Sequence, residues 1–339
     1  MVRGSASLAG VIGYLVRRLG ASLLLLLLLV SLAFVLLHAV PGSPLNALAG
    51  GQTEHLSAEQ RAHLARVYGL DRPLGVQYLT WLAAAARGDW GISISRQRPV
   101  ARVIAEALPA TALLAVAALA VEYALALPLG IWAARRRGAA PDKLVRAVGL
   151  LLYALPGFWV ALMAVYALAY LLPIFPAGHA AAAGAAELPP LDRLADRLHH
   201  LALPALVLGA ATAGGTVRYV RNSLLAVLGQ DYIRTARAVG LPERRVLWVH
   251  AMRPALAPLL QLLGTTLPSL LNGVLVIEVI FSWPGIGRLA IEAIRTLDYP
   301  LVLAITALAG VLVIAGNLAA DLLHAAADPR VRDALVETP

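Results

Sequence analysis

The sequence predicts an all-α, polytopic membrane protein with six transmembrane helices and a small helical insertion after the first of them. Composition and segment length carry that prediction. Of 339 residues, 60% are hydrophobic and 14% are charged. Several apolar runs reach the ~20 residues that a helix needs to cross a bilayer. The short alternating segments of an outer-membrane barrel are not seen. The formal net charge is +9. Cationic loops orient membrane proteins, so the charge reads as topology and not as a nucleic-acid surface. The chain has no cysteine, which excludes disulfides and thiolate metal sites. Lys143 is the single lysine among the 28 basic residues.

The first span falls within Tyr14 to Val40, with Arg17 and Arg18 ahead of a leucine run. Ala47-Leu48-Ala49 resembles a signal-peptidase site, but an apolar stretch from Leu19 to about Leu37 is long for a signal sequence, so a retained helix is expected. Residues 41–103 form the predicted extracytoplasmic insertion. It opens on Pro41-Gly42-Ser43-Pro44 and holds two helices, Leu56 to Tyr68 (ended by Gly69) and Gln77 to Ala86 (ended near Gly88). A membrane domain holding the remaining spans is expected over 104–325, and a short charged tail over 326–339. The second span runs from about Ile104 to Ala134 and ends at Arg135-Arg136-Arg137. The third runs from about Leu144 to Leu172, kinked at Pro156-Gly157. A Pro/Ala/Gly-rich loop over 173–200 precedes the fourth, about Leu201 to Val220. The fifth, about Ala255 to Phe281, is interrupted by Pro258, Gly264, Pro268 and Gly273, breaks tolerated where helices pack or line a cavity. The sixth covers about Pro300 to His324.

An even number of spans puts both termini on one side. Residues 1–18, 135–146, 218–253 and 325–339 hold 17 of the 28 basic residues, so the positive-inside rule makes those segments cytoplasmic. The loop over 221–253 is then a structured cytoplasmic elbow. Asp231 suits a helix N-cap. Tyr232, Ala236 and Val239 share a face at i, i+4, i+7. Gly240 suits the left-handed position that ends such a helix, and Pro242 the first turn of the next. A loop so structured between two spans is built to dock something.

No Walker A sequence is present: Lys143 sits in Ala140-Pro141-Asp142-Lys143, so this chain has no nucleotide loop of its own. It also lacks His-Glu-x-x-His and Gly-x-Ser-x-Gly, and no enzymatic role is expected. Polar groups at membrane depth are His38, Glu122, Glu278, Asn317 and Asp321. A charge there costs on the order of 3 kcal/mol on insertion scales, so it faces the bundle interior or water. Asn317 and Asp321 share a helix face. These groups read either as a translocation path or proton relay, or as interhelix hydrogen bonds. Trp283 and Tyr299 read either as interfacial anchors or as parts of a gate.

The run Asp231-Tyr232-Ile233-Arg234-Thr235-Ala236-Arg237-Ala238-Val239-Gly240-Leu241 resembles the EAA loop of bacterial ABC importer permeases, in its dipeptide/oligopeptide form. The similarity continues through Val246, His250, Arg253-Pro254-Ala255-Leu256 and Pro258. Phe281-Ser282-Trp283-Pro284-Gly285-Ile286-Gly287-Arg288-Leu289 resembles the signature after the fifth helix, with Asp298-Tyr299-Pro300 following. Asn317-Leu318, Asp321-Leu322, Asp328-Pro329-Arg330-Val331-Arg332, Tyr68-Gly69-Leu70-Asp71-Arg72-Pro73 and Gly88-Asp89-Trp90-Gly91 also match, so the resemblance covers essentially the whole chain. It is closest to the B-type subunit. Arg234-Thr235-Ala236 replaces the Glu-Ala-Ala of the broad family, Pro254 stands where the subfamily often has Asn, and the 173–200 loop carries no recognised motif.

The resemblance implies a type I ABC importer permease fold in a bacterial or archaeal cytoplasmic (inner) membrane. It implies a second homologous permease, one or two cytoplasmic ATPases and an extracytoplasmic peptide-binding lipoprotein or periplasmic protein as partners. ATP and Mg would be bound by the ATPases, and this chain would bind no cofactor. Asp231, Tyr232, Arg234, Thr235, Ala236, Arg237, Gly240 and Leu241 would form the ATPase-coupling element. Glu122, Glu278, Trp283, Asn317 and Asp321 are the candidates for the translocation path or outer gate. The cargo implied is di- or oligopeptide. A nickel chelate, glutathione or a glycoside through the same architecture, and proton-coupled transport, are the alternatives.

Overall fold

The computed structural model describes residues 8–40, 57–67, 69–256 and 273–327. The expected turn at Pro41–Pro44, the Ala47–Ala49 site, Tyr68, the breaks at Pro258, Gly264 and Pro268, and Asp328 to Arg332 lie outside them. Among the described residues the chain is all-helical apart from one isolated bridge, Ile92 with Pro99. The helices are α1 (Leu8–Ala39), α2 (Ala58–Val67), α3 (Leu74–Ala85), α4 (Val100–Arg135), α5 (Ala140–Ala154), α6 (Gly157–Val165), α7 (Pro190–Leu228), α8 (Asp231–Ala238), α9 (Glu243–Arg245), α10 (273–280), α11 (Ile286–Arg295) and α12 (Tyr299–Ala327).

Among the described residues four helices are long and apolar enough to cross a membrane: Val16–Ala39, Val100–Arg135, Pro190–Leu228 and Tyr299–Ala319. The pair Ala140–Leu152 and Gly157–Leu171 makes a fifth if counted as one span. The pair meets at 99°, far more than a proline kink. The break falls on Leu155 and Pro156, both extended, and Pro156 caps the second piece. The fourth expected span begins earlier than its apolar run. Pro190 at the first helical position starts α7 inside the expected 173–200 loop, and the helix carries Pro204 in its interior. The chain is thus a multi-pass, all-α membrane protein with a helical insertion after its first helix.

Contacts divide the chain into two units. The first comprises Met1–Ala6, Ala112–Trp283 and Gly316–Pro339. Here α7 packs closely on its neighbours through glycines. A Cβ on Gly209 would lie 2.5 Å from the Ala118 carbonyl, and one on Gly214 would lie 2.7 Å from that of Gly149. Arg221 of α7 donates to Asp142 at the start of α5, Nε to Oδ1 at 2.6 Å and Nη2 to Oδ2 at 2.9 Å.

The second unit comprises Ser7–Thr111 and Pro284–Ala315. Its core gathers Phe34, Leu37, Val100, Leu289, Tyr299 and Leu301. Ser57 and Gln60 exchange backbone and side-chain hydrogen bonds, a capping box that starts α2. Two motifs far apart in sequence meet in this unit. The fully buried Asp298 accepts from the Ser93 hydroxyl (2.5 Å), the Ser95 amide (2.9 Å) and the Ser95 hydroxyl (2.7 Å) on one oxygen. Its other oxygen accepts from the Leu301 amide at 3.3 Å. The Gly88–Ser93 segment is therefore held on the start of α12.

Candidate functional site

The polar stretch between α7 and α10 forms a short helix, an elbow and a second helix. Gln230, extended at φ −75° and ψ 151°, is the N-cap of α8, and Asp231 is its first helical residue. The expected Asp231 cap is therefore corrected by one position. The Gln230 side chain makes no capping bond, while its carbonyl accepts from the Ile233 and Arg234 amides at 3.2 Å. The Asp231 carboxylate still favours the positive end of the helix dipole, and it pairs with Arg234 at 3.2 Å. The Thr235 hydroxyl donates to the Asp231 carbonyl at 3.1 Å.

At the other end Gly240 takes the left-handed conformation, φ +84°. Its amide donates to the Arg237 carbonyl (3.0 Å), and the Leu241 amide donates to that of Ala236 (3.2 Å). This pair of bonds is the Schellman motif. Pro242 is the N-cap of α9 and not its first helical residue.

The faces of α8 differ in part from the expected ones. Ile233 has no exposed surface. It packs with Leu224, Val246, Leu247 and Ala251, and Ala236 and Leu241 border the same cluster. Tyr232 (46% exposed) and Val239 (76% exposed) point away from it. At ~100° per residue, Val239 returns to within ~20° of Tyr232, while Ala236 swings ~40° toward Ile233. Ala236 is thus half-buried on the chain's own core, and the outward apolar pair is Tyr232 with Val239. Spacing from Tyr232 alone hid the anchor, Ile233.

Arg237 turns toward α9. Its Nε and Nη2 donate to the Glu243 carboxylate at 3.1 and 2.7 Å, a bidentate brace across the Gly240 elbow. The guanidinium holds the Glu243 carboxyl below its ordinary value of 4.5, Arg135 adding to the effect, and the carboxylate raises Arg237 in turn. A depressed acid contributes stability above its unfolded pKa and loses it as pH falls through the folded one. The brace should therefore be constant from neutral pH to about 5 and weaken below 4.5. Both groups are solvent-exposed, so the contribution stays under ~1 kcal/mol. The protection of the α8 amides, with exchange corrected for its intrinsic pH dependence, should fall below that pH, and Glu243→Gln should abolish that fall.

Glu122 lies on α4 with 1% exposure. It accepts from two hydroxyls of α7, Thr212 at 2.9 Å and Thr216. This geometry is an interhelix clamp, and both partners come from a helix in which sequence alone identified no polar role. Glu122→Gln keeps an acceptor for one threonine and should leave uptake within about twofold of wild type, whereas a proton relay requires a titrating group. Uptake measured with and without a proton gradient separates the two.

Glu278 on α10 is fully buried and has its own partners. Trp283 donates its amide to the Glu278 carbonyl at 2.8 Å and is 2% exposed. Burial removes the interfacial-anchor reading of Trp283, because an anchor keeps its indole at the headgroups. Tyr299, 7% exposed, is likewise a core residue. Asn317 and Asp321 are half-buried on α12 and share a face of it. Among the described residues, no group of three or more His, Asp or Glu side chains could hold a metal.

The structure defines a multi-pass, all-α membrane protein whose polar segment after α7 forms a capped, anchored elbow. The chain belongs to the family described as binding-protein-dependent transport system inner membrane component, whose model matches residues 126–333. The N-terminal model of the same family matches residues 11–115. The chain is 39% identical over 319 residues to the oligopeptide transport system permease protein AppB of Bacillus subtilis, covering 94% of this chain and 98% of that one. It is 34% identical over 339 residues to the dipeptide transport system permease protein DppB of Escherichia coli, with the same coverage. Members of this family are non-catalytic transport components and not ATPases.

Proposed function

We propose that this chain is the B-type permease subunit of an ABC importer for di- and oligopeptides, with α8 as its ATPase-coupling helix. The similarity to AppB and DppB over 94% of the chain carries the cargo class. The coupling role is supported by α8 itself. Ile233 anchors it from within, Gly240 and the Arg237–Glu243 brace fix its direction, and Tyr232 and Val239 are left for a partner. A small exposed apolar pair, on a loop that also exposes Arg234 and Arg244, suits a cleft with acidic edges.

The complete architecture in this reading has six spans in the type I fold, the fifth running through residues 255–281. Both termini and the 221–253 loop face the cytoplasm, and residues 41–103 face outward. A second permease completes the path, one or two ATPases bind ATP and Mg, and an extracytoplasmic receptor delivers peptide. ATP-driven closure of the ATPases carries α8 with it and shifts the bundle between inward- and outward-open packings. Glu278 on α10, Trp283 in the turn after it, and Asn317 and Asp321 on α12 are the candidates for the path or outer gate.

Extraction from native membrane in mild detergent tests the assembly. A second permease, one or two Walker A proteins and a peptide-binding receptor should co-purify. Recovery of the chain alone, active in vesicles on a proton gradient without ATP, would contradict it.

A further inference from the structure

The insertion after α1 contains a helix whose chemistry does not suit water. Helix α3 (Leu74–Ala85) carries no charged residue. One face packs on its own unit, through Tyr78 and Trp81. The opposite stripe, Val76, Leu79 and Ala83 at i, i+3 and i+7, is apolar and exposed, with Leu79 at 64%. Twelve residues span only ~18 Å, too short to cross a bilayer.

Two observations say what covers that stripe. The first is depth. The Tyr78 and Ser31 hydroxyls share a hydrogen bond of 2.6 Å, and the Tyr78 and Phe34 rings lie 5.2 Å apart. Ser31 is eight residues before the end of α1 at Ala39, ~12 Å along the axis. The apolar span Val16–Ala39 is 24 residues, ~36 Å against a hydrocarbon core of ~30 Å. Even if all the ~6 Å surplus projects at the His38 end, Ser31 remains ~6 Å inside the hydrocarbon. The second observation is continuity. A groove of about 510 Å³ runs between the two helices, walled by Ser31, Val35 and Ala39 on α1 and by Leu74, Gly75 and Tyr78 on α3. It opens beside Val35 and Leu36, which belong to the exposed apolar face of α1. Arg72 and Arg87 bracket α3, where long cationic side chains reach back to the headgroups.

We infer that α3 lies in the membrane boundary, its Val76–Leu79–Ala83 stripe on lipid, and that the groove holds a lipid acyl chain. The insertion is then partly a membrane-seated platform. This rests only on α1 crossing the membrane and is independent of the cargo or the ATPase.

The chain has no native cysteine, so one introduced thiol reports alone. Leu79→Cys, Leu28→Cys on the exposed face of α1 and Arg87→Cys are each labelled with bimane in the full-length chain in native-lipid nanodiscs. Nitroxide on the lipid chains and aqueous iodide are the quenchers. The Leu79 label should follow the Leu28 label, with lipid quenching several-fold stronger than iodide quenching, and the Arg87 label should show the reverse. A Leu79 label that follows Arg87 places α3 in water and overturns the inference. A label quenched by neither means protein covers the stripe, which also overturns it. Val76→Cys gives an independent reading if Leu79→Cys does not accumulate.

Discussion

Replacing Ile233 with aspartate should abolish ATP-driven uptake while the chain remains inserted in the membrane. Ile233 has no exposed surface and sits among Leu224, Val246, Leu247 and Ala251. An unpaired carboxylate in that cluster costs several kcal/mol, on the order of 3–5 if it stays charged. An eight-residue helix has little stability of its own and depends on that packing. The cheapest response is for α8 to leave its seat, not for the spans to unfold. Ile233→Val should cost ~1 kcal/mol and retain most uptake. Gly240→Pro acts at the other end of α8. It fixes φ near −65° where +84° is needed and removes the amide that donates to Arg237. It should also abolish uptake. Uptake in vesicles, paired with the carbonate-resistant membrane fraction, separates lost coupling from lost insertion.

The second large effect belongs to Asp298. Removing its carboxyl strands the buried Ser93 hydroxyl and frees the hydroxyl and amide of the exposed Ser95 from the site. Leaving a buried donor such as Ser93 unsatisfied, and losing the bonds that tie the segment down, costs ~1–3 kcal/mol. Asp298→Ala should reduce the amount of chain in the membrane several-fold and lower its melting temperature in detergent. Asp298→Asn keeps one acceptor oxygen but sets an NH2 among donors, and should fall between. Wild-type abundance and melting for Asp298→Ala would show that the Gly88–Ser93 segment is held by something else.

Much of the fold was legible because long apolar runs declare themselves. Helices α1 and α12 follow their leucine- and valine-rich stretches, and Gly240 declares its left-handed turn. The early start of α7 was hidden because residues 190–200 carry Asp192, Arg193, Asp196 and Arg197, which read as loop until Pro190 is seen to begin a helix. The break at Leu155–Pro156 looked like a kink because sequence marks where a helix bends and not by how much. The partners of Glu122 lie 90 and 94 residues away on a helix whose threonines have no distinguishing pattern. Asp298 and the Gly88–Ser93 segment were each visible as motifs, but their meeting is a tertiary fact 205 residues in the making. The wrong face of α8 came from starting the periodicity at Tyr232. Starting at Ile233 would have joined it to Ala236, three residues on, and to the apolar run Val246–Leu247.

The coupling role of α8 is tested most directly by what touches its outward face. Val239→Cys supplies a single thiol at the most exposed apolar position of the helix. A short photoactivatable cross-linker on that thiol, irradiated in native membrane, should yield one major adduct, with a protein that carries a Walker A sequence. The adduct should change in yield with ATP. An adduct with lipid alone, or with no nucleotide-binding protein while uptake is normal, would contradict the assignment.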